Sequence, residues 1–225
     1  LKSGTRALGI AESYTGSARA PTPDETTTDF SGDTSRSSDS HADADIDAGA
    51  DADDTDRTKS VFCGAVVRAD GVVDGLEFET CTVGGDDATD TIAALYSSLG
   101  REDVRYVLVS GIAPAWFNLV DVSRLGAAFD RPVLSVSFEE SDGLEAALST
   151  HFSGEALDHR LETYRAAPPR HAVVVNGEQL FVRATGCDVA EATQVVRAFT
   201  PTGGRPEPIR VARLAARAAR RFVGD

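Results

Sequence analysis

Residues 17–58, SARAPTPDETTTDFSGDTSRSSDSHADADIDAGADADDTDRT, hold one aromatic residue and almost nothing that a core could bury. A segment this polar cannot repay the entropy of ordering its own backbone, so it is expected to be a disordered acidic insertion. Whatever folds must fold around it. Its flanks read as strands, RALGIAES at 6–13 and SVFCGAVVRA at 60–69. The insertion is therefore expected in the loop between strands one and two of a single domain spanning 1–225. A calcium loop inside it can be discarded. Asp43 to Asp54 has Asp at its first, third and fifth positions, but Ala48 and Asp54 stand where such a loop needs Gly and a bidentate Glu.

The same segment distorts the charge of the chain. With 36 acidic against 22 basic residues the formal charge is −14, which ordinarily argues against nucleic acid, because binding its backbone rests on Lys and Arg displacing counterions. Twelve of the acids, however, lie in 17–58 beside only Arg19, Arg36 and Arg57. Residues 197–221 carry seven arginines and a single acid, Glu207. The C-terminal end is locally basic. Lys2 and Lys59 are the only lysines and Asp outnumbers Glu, a composition suited to staying hydrated in high salt.

Cys63, Cys81 and Cys187 form no CxxC, which points to buried thiols in a reducing compartment. His41, His151, His159 and His171 lack metal-ligand spacing. No leader-like stretch opens the chain and no run reaches the ~18 apolar residues of a membrane span, so a soluble, cytoplasmic protein with no membrane partner is expected. The absence of any Met implies a start that is processed, cut back or read from another codon. Nothing in the sequence fixes an oligomeric state.

With the insertion set aside, VVDGLEFETCTV supplies a third strand, joined to the second by a hairpin at Asp70-Gly71. DDATDTIAALYSSLG is a helix with apolar residues at Ile92, Leu95, Tyr96 and Leu99. RYVLVSG is an apolar strand suited to a sheet centre, followed by the loop IAPAWFN and a helix from about Leu119 to Phe129. RPVLSVSF is a fifth strand, and helical sequence covers about 142–166. A second hairpin turns at Asn176-Gly177, and two helices close the chain. Three antiparallel strands, a helix, then strand, helix, strand resembles the order of the RNase H-like α/β fold, a mixed sheet flanked by helices. Such sheets carry carboxylates on strand one, near the first helix and at the end of strand four, which together hold divalent metal.

The segments RALGIAES, VGGDDATD, SGIAPAWFNLVDV and GGRPEPIRVARLAA resemble those of the archaeal endonuclease V-like proteins, also described as endonuclease dU. Outside the insertion the resemblance covers nearly the whole chain, and RPEPIRVA is its most specific stretch. It implies a halophilic archaeal endonuclease, a repair hydrolase that cuts DNA or RNA beside uracil or hypoxanthine with Mg²⁺, or Mn²⁺. Three positions depart from the family pattern. Its Gly-Ile-Asp-Asp-Ser is here Gly9, Ile10, Ala11, Glu12, Ser13; its Asp-Gly is Ser110-Gly111; and its last-helix His is Arg213.

Under the resemblance Glu12 and Asp87 would hold Mg²⁺, with Asp90 and Ser110 completing the catalytic set. Trp116, Asn118, Arg205, Arg210 and Arg213 would bind nucleic acid, DNA rather than RNA. Each has a plainer reading. Glu12 lies one residue beyond the expected ligand, and neighbouring strand residues face opposite sides. Asp87 with Asp90 at the third helical position suits a helix cap, Asp121 is an early-helix acid, and Glu191 after Asp188 makes a capping box. Ser110 lacks the GxSxG elbow of a serine nucleophile. Trp116, Phe117 and Asn118 either meet a base or pack their loop. Arg210, Arg213, Arg217, Arg220 and Arg221 recur at three- and four-residue spacing and face either phosphate or acidic surface. The alternative to an endonuclease is a protein that kept the fold, lost the metal site and binds nucleic acid or another partner.

Overall fold

The computed structural model describes residues 1–14 and 58–223. The expected insertion, Thr58 apart, lies outside them. In chain order the elements are β1 (Arg6–Glu12), β2 (Lys59–Arg68), β3 (Val73–Thr82), α1 (Ala88–Leu99), β4 (Val104–Ser110), α2 (Pro114–Phe117), α3 (Val122–Phe129), β5 (Val133–Ser137), α4 (Glu145–His151), α5 (Gly154–Ala166), β6 (His171–Val175), β7 (Glu178–Thr185), α6 (Val189–Ala198) and α7 (Glu207–Val223). The seven strands form one mixed sheet in the order β3-β2-β1-β4-β5-β7-β6. Parallel pairing joins β1 to β4 and β4 to β5, and the other pairs are antiparallel. This is the expected α/β architecture.

Strand position follows from sequence. Six of the seven β1 residues are buried, because both faces are covered and every side chain must be apolar or satisfied. β3, at the sheet edge, alternates exposed and half-buried residues and carries Glu77 and Glu79, charges that discourage pairing with another chain. Leu8 and Ile10 enter a core with Ile92 and Leu95 of α1 and Val122, Leu125 and Phe129 of α3. Ala7 and Ala11 enter the opposite core with Val195 and Val196 of α6 and Ile209, Ala212 and Ala216 of α7. Small residues on this second face admit α7 closely. A Cβ on Gly9 would stand 2.1 Å from the carbonyl carbon of Pro208, so only glycine fits there.

Both hairpins form as expected. Asn176 and Gly177 both take positive φ, 51° and 84°, the geometry of a two-residue turn that matches strand twist. Two boundaries differ from the sequence reading. The helical stretch at 142–166 is two helices, interrupted by extended backbone at Phe152 and Ser153. The helix expected from about Leu119, α3, begins at Val122, because Asp121 caps it by accepting from Arg124 N at 2.9 Å. Among the described residues no helix is long and apolar enough to cross a membrane.

The two ends of the 15–57 stretch are fastened together. Ser13 N donates to Val61 O at 2.9 Å, and Val61 N donates to the Ser13 hydroxyl at 3.0 Å. The chain therefore leaves and re-enters the sheet at one point.

Candidate functional site

β1 and β4 run parallel at the sheet centre and end side by side. Their register pairs Gly9 with Leu108 and Ile10 with Val109, so one step further Ala11 lies beside Ser110. Ala11 faces α7, and Ser110 shares that face with Leu108 by strand alternation. Open parallel sheets place ligands beyond such strand ends.

Glu12 turns the other way. It is 8% exposed, and its Oε2 accepts from Tyr14 N and, at 3.0 Å, from the Ser60 hydroxyl. It is not a solvated strand terminus. Burial raises its pKa, opposed by those two hydrogen bonds and by the charges of Arg213 and Arg217. Asp87 lies on the same face: burial, then Asp87, then Glu12 push the Cys81 thiol up to about 12.

The Asp87 carboxylate accepts from Thr82 N at 3.0 Å, from the Thr82 hydroxyl at 2.8 Å and from Asn118 Nδ2 at 2.6 Å. It makes no side-chain cap to α1, which corrects the capping reading. Asn118 does that work instead: fully buried, its Oδ1 accepts from Ala88 N at 2.8 Å while Nδ2 also donates to Thr82 O. Asn118 is thus a tie between β3, α1 and the loop after β4. Trp116 packs against Gly84 and lies among Phe117, His151 and Phe152, so its loop is seated on protein. Ala115, Trp116 and Phe117 all have positive φ, 43°, 56° and 58°, a costly run for non-glycine residues. Arg160, which no motif or spacing singles out, clamps this corner. It is buried beneath the Phe152 ring and donates to the carbonyls of Gly84 and Gly85 at 2.8 and 2.7 Å. Asp90 is exposed and ion-paired with Arg124, away from Glu12's partners.

The arginine stripe splits in two. Arg210 is exposed and paired with Glu207 at 2.7 Å. Arg213 and Arg217 are half-buried, and their Nε atoms are buried without a hydrogen-bond partner among the described residues. Each such orphan costs about 1–3 kcal/mol. Arg205 joins them: its guanidinium lies 4.1 Å from the ring centre of Phe138, next to the end of β5. Burial, then the charges of Arg213 and Arg217, lower its pKa. Three guanidinium groups therefore share one region at the strand ends.

A Mg²⁺ or Mn²⁺ ion held by protein needs carboxylates free to turn oxygen atoms toward it. Among the described residues no three His, Cys, Asp or Glu side chains gather around a common point. Asp87 already spends both oxygens and Glu12 its Oε2 on protein donors, and Ala11 and Ser110 on the other face offer no carboxylate. The residues present do not fit the ion.

Residues 44–220 match the model of a family described as Endonuclease dU. The chain belongs to the endonuclease dU family. Among its relatives, a UPF0215 protein of Pyrobaculum aerophilum is 34% identical over 166 residues, covering 73% of this chain and 88% of the relative. One from Thermococcus kodakarensis is 33% identical over 162 residues, covering 71% and 81%. In fold, this endonuclease dU family member is similar to a protein of unknown function from Archaeoglobus fulgidus, with TM-score 0.69 at 24% identity over 95% of this chain and 97% of the other. It is also similar to Ciona intestinalis endonuclease V, solved in complex with a DNA containing inosine, with TM-score 0.54 at 13% identity over 97% and 87%. The fold is that of endonuclease V.

Proposed function

We propose that this member of the endonuclease dU family binds nucleic acid at the ends of β1 and β4, and that arginine contacts to phosphate replace a carboxylate-held metal there. One observation carries the reading. Ala11 and Ser110, the two neutral positions where the family pattern has acids, are neighbours on the face that α7 covers with Arg213, the third departure. Losing two negative charges and gaining a fixed positive one beside them turns a cation site into an anion site. Single strands or duplexes carrying uracil or hypoxanthine are the first ligands to try, DNA before RNA, in the molar salt that the composition suits. Binding with no cleavage in Mg²⁺ or Mn²⁺ is expected. The double substitution Ala11→Asp with Ser110→Asp is expected to create Mg²⁺ affinity, read by titration calorimetry. Metal-dependent cleavage by the unaltered protein would overturn the reading.

The family match supports a second reading, a repair endonuclease of the cytoplasm that cuts beside a deaminated base with Mg²⁺. Under this reading Glu12→Gln abolishes cleavage. The same cleavage assay decides between the two.

A further inference from the structure

Arginine side chains in a finished protein interior normally meet carboxylates or carbonyls. Among the described residues Arg213 and Arg217 do neither, although Glu12 is near enough to feel their charge. Glu12 is instead held by Ser60 and Tyr14 on the opposite face. Arg205 makes no hydrogen bond or ion pair among the described residues and rests on the Phe138 ring. Three like charges thus have no hydrogen-bonded counterion among the described residues. At the strand ends that α7 covers, the Ser110 hydroxyl has no hydrogen-bond partner among the described residues, and Ala11 brings no charge. A planar carboxylate is saturated by one guanidinium fork, whereas a phosphate presents oxygens in several directions and accepts from several forks.

We propose that Arg205, Arg213 and Arg217 form a cradle for one phosphate group, with the Ser110 hydroxyl as a neutral donor at its base. The proposal deepens the nucleic-acid reading, on which it rests only for the phosphate's source. That source is either an internal phosphodiester or the phosphorylated end of a strand.

The test uses the full chain at constant ionic strength, with sodium chloride as the control for sodium phosphate. Inorganic phosphate is expected to raise the melting temperature saturably, and to do so neither in Arg213→Gln/Arg217→Gln nor in Arg205→Gln. The second variant leaves α7 untouched, so a folding defect in the first does not decide the outcome. For a short single-stranded oligodeoxynucleotide, each variant is expected to lose about tenfold in affinity, and the slope of log affinity against log salt to fall by about 0.7. An equal phosphate response in natural protein and variants overturns the cradle, while retained oligonucleotide binding would leave the broader reading standing. A phosphate response without oligonucleotide binding upholds the cradle and removes the nucleic acid. With the cradle upheld, tighter binding of a 5′-phosphorylated strand than of its unphosphorylated twin assigns a strand end, and equal binding assigns an internal phosphate.

Discussion

Glu12 shows what one side chain's direction decides. Strand alternation predicts that it faces away from Ala11, and it does; its burial, however, comes from Ser60 and Phe62 of a strand that lies beyond the insertion, which no local pattern reveals. Because burial raises its pKa, the unfolded chain ionises first as pH rises. The stability tied to the neutral carboxyl is present below pH 4.5 and lost as pH climbs through the folded value. Glu12→Gln, which keeps an acceptor for Ser60 and Tyr14, is therefore expected to melt higher than the natural protein at pH 7, the gap closing toward pH 4 in a series of thermal melts. Asn118 was legible as a polar residue in an aromatic loop, but its task was not, because its partners Thr82, Asp87 and Ala88 belong to other segments. Asn118→Ala strands the Ala88 amide in the interior and takes a donor from Asp87 Oδ1 and from the Thr82 carbonyl. It is expected to cost about 3 kcal/mol by denaturant unfolding.

Elements with a local signature were readable: the Asn176-Gly177 turn, the apolar β4, and the α6 start, where Asp188 accepts from Glu191 N at 2.8 Å. The capping box there is only half made, since the Glu191 carboxylate accepts from the Tyr106 hydroxyl at 2.8 Å instead. That tertiary contact is invisible in sequence. In α7 the spacing of the arginines was plain, yet it could not separate Arg210, held by Glu207, from Arg213 and Arg217, which face the strand ends. The packing of α7 onto the sheet depends on backbone approach at Gly9. Gly9→Ala is expected to push the helix away, costing about 3 kcal/mol and lowering the melting temperature by roughly 6–12 °C.

At the scale of the molecule, the order of elements along the chain was readable and β4 could be placed within the sheet by its apolar run, whereas the order of strands across the sheet is set by contacts between distant segments. The insertion is legible as a boundary and nothing more. The hydrogen bonds between Ser13 and Val61 join β1 to β2 through residues outside it. Deleting residues 17–57 and joining the ends through a short Gly-Ser linker is therefore expected to leave the melting temperature in high salt nearly unchanged. A loss of cooperative melting would refute that expectation.

The central position of β1 also sets an order of events during synthesis. Ile10 pairs with Gly64 on one side and Val109 on the other, so during synthesis β1 gains its first neighbour with β2 and its second only once β4 has followed. Until β2 emerges an apolar segment waits unpaired, with a run of carboxylates as the next thing to emerge behind it. Like charges on neighbouring nascent chains repel, and the sequence sets the acids of residues 17–58 directly behind that strand.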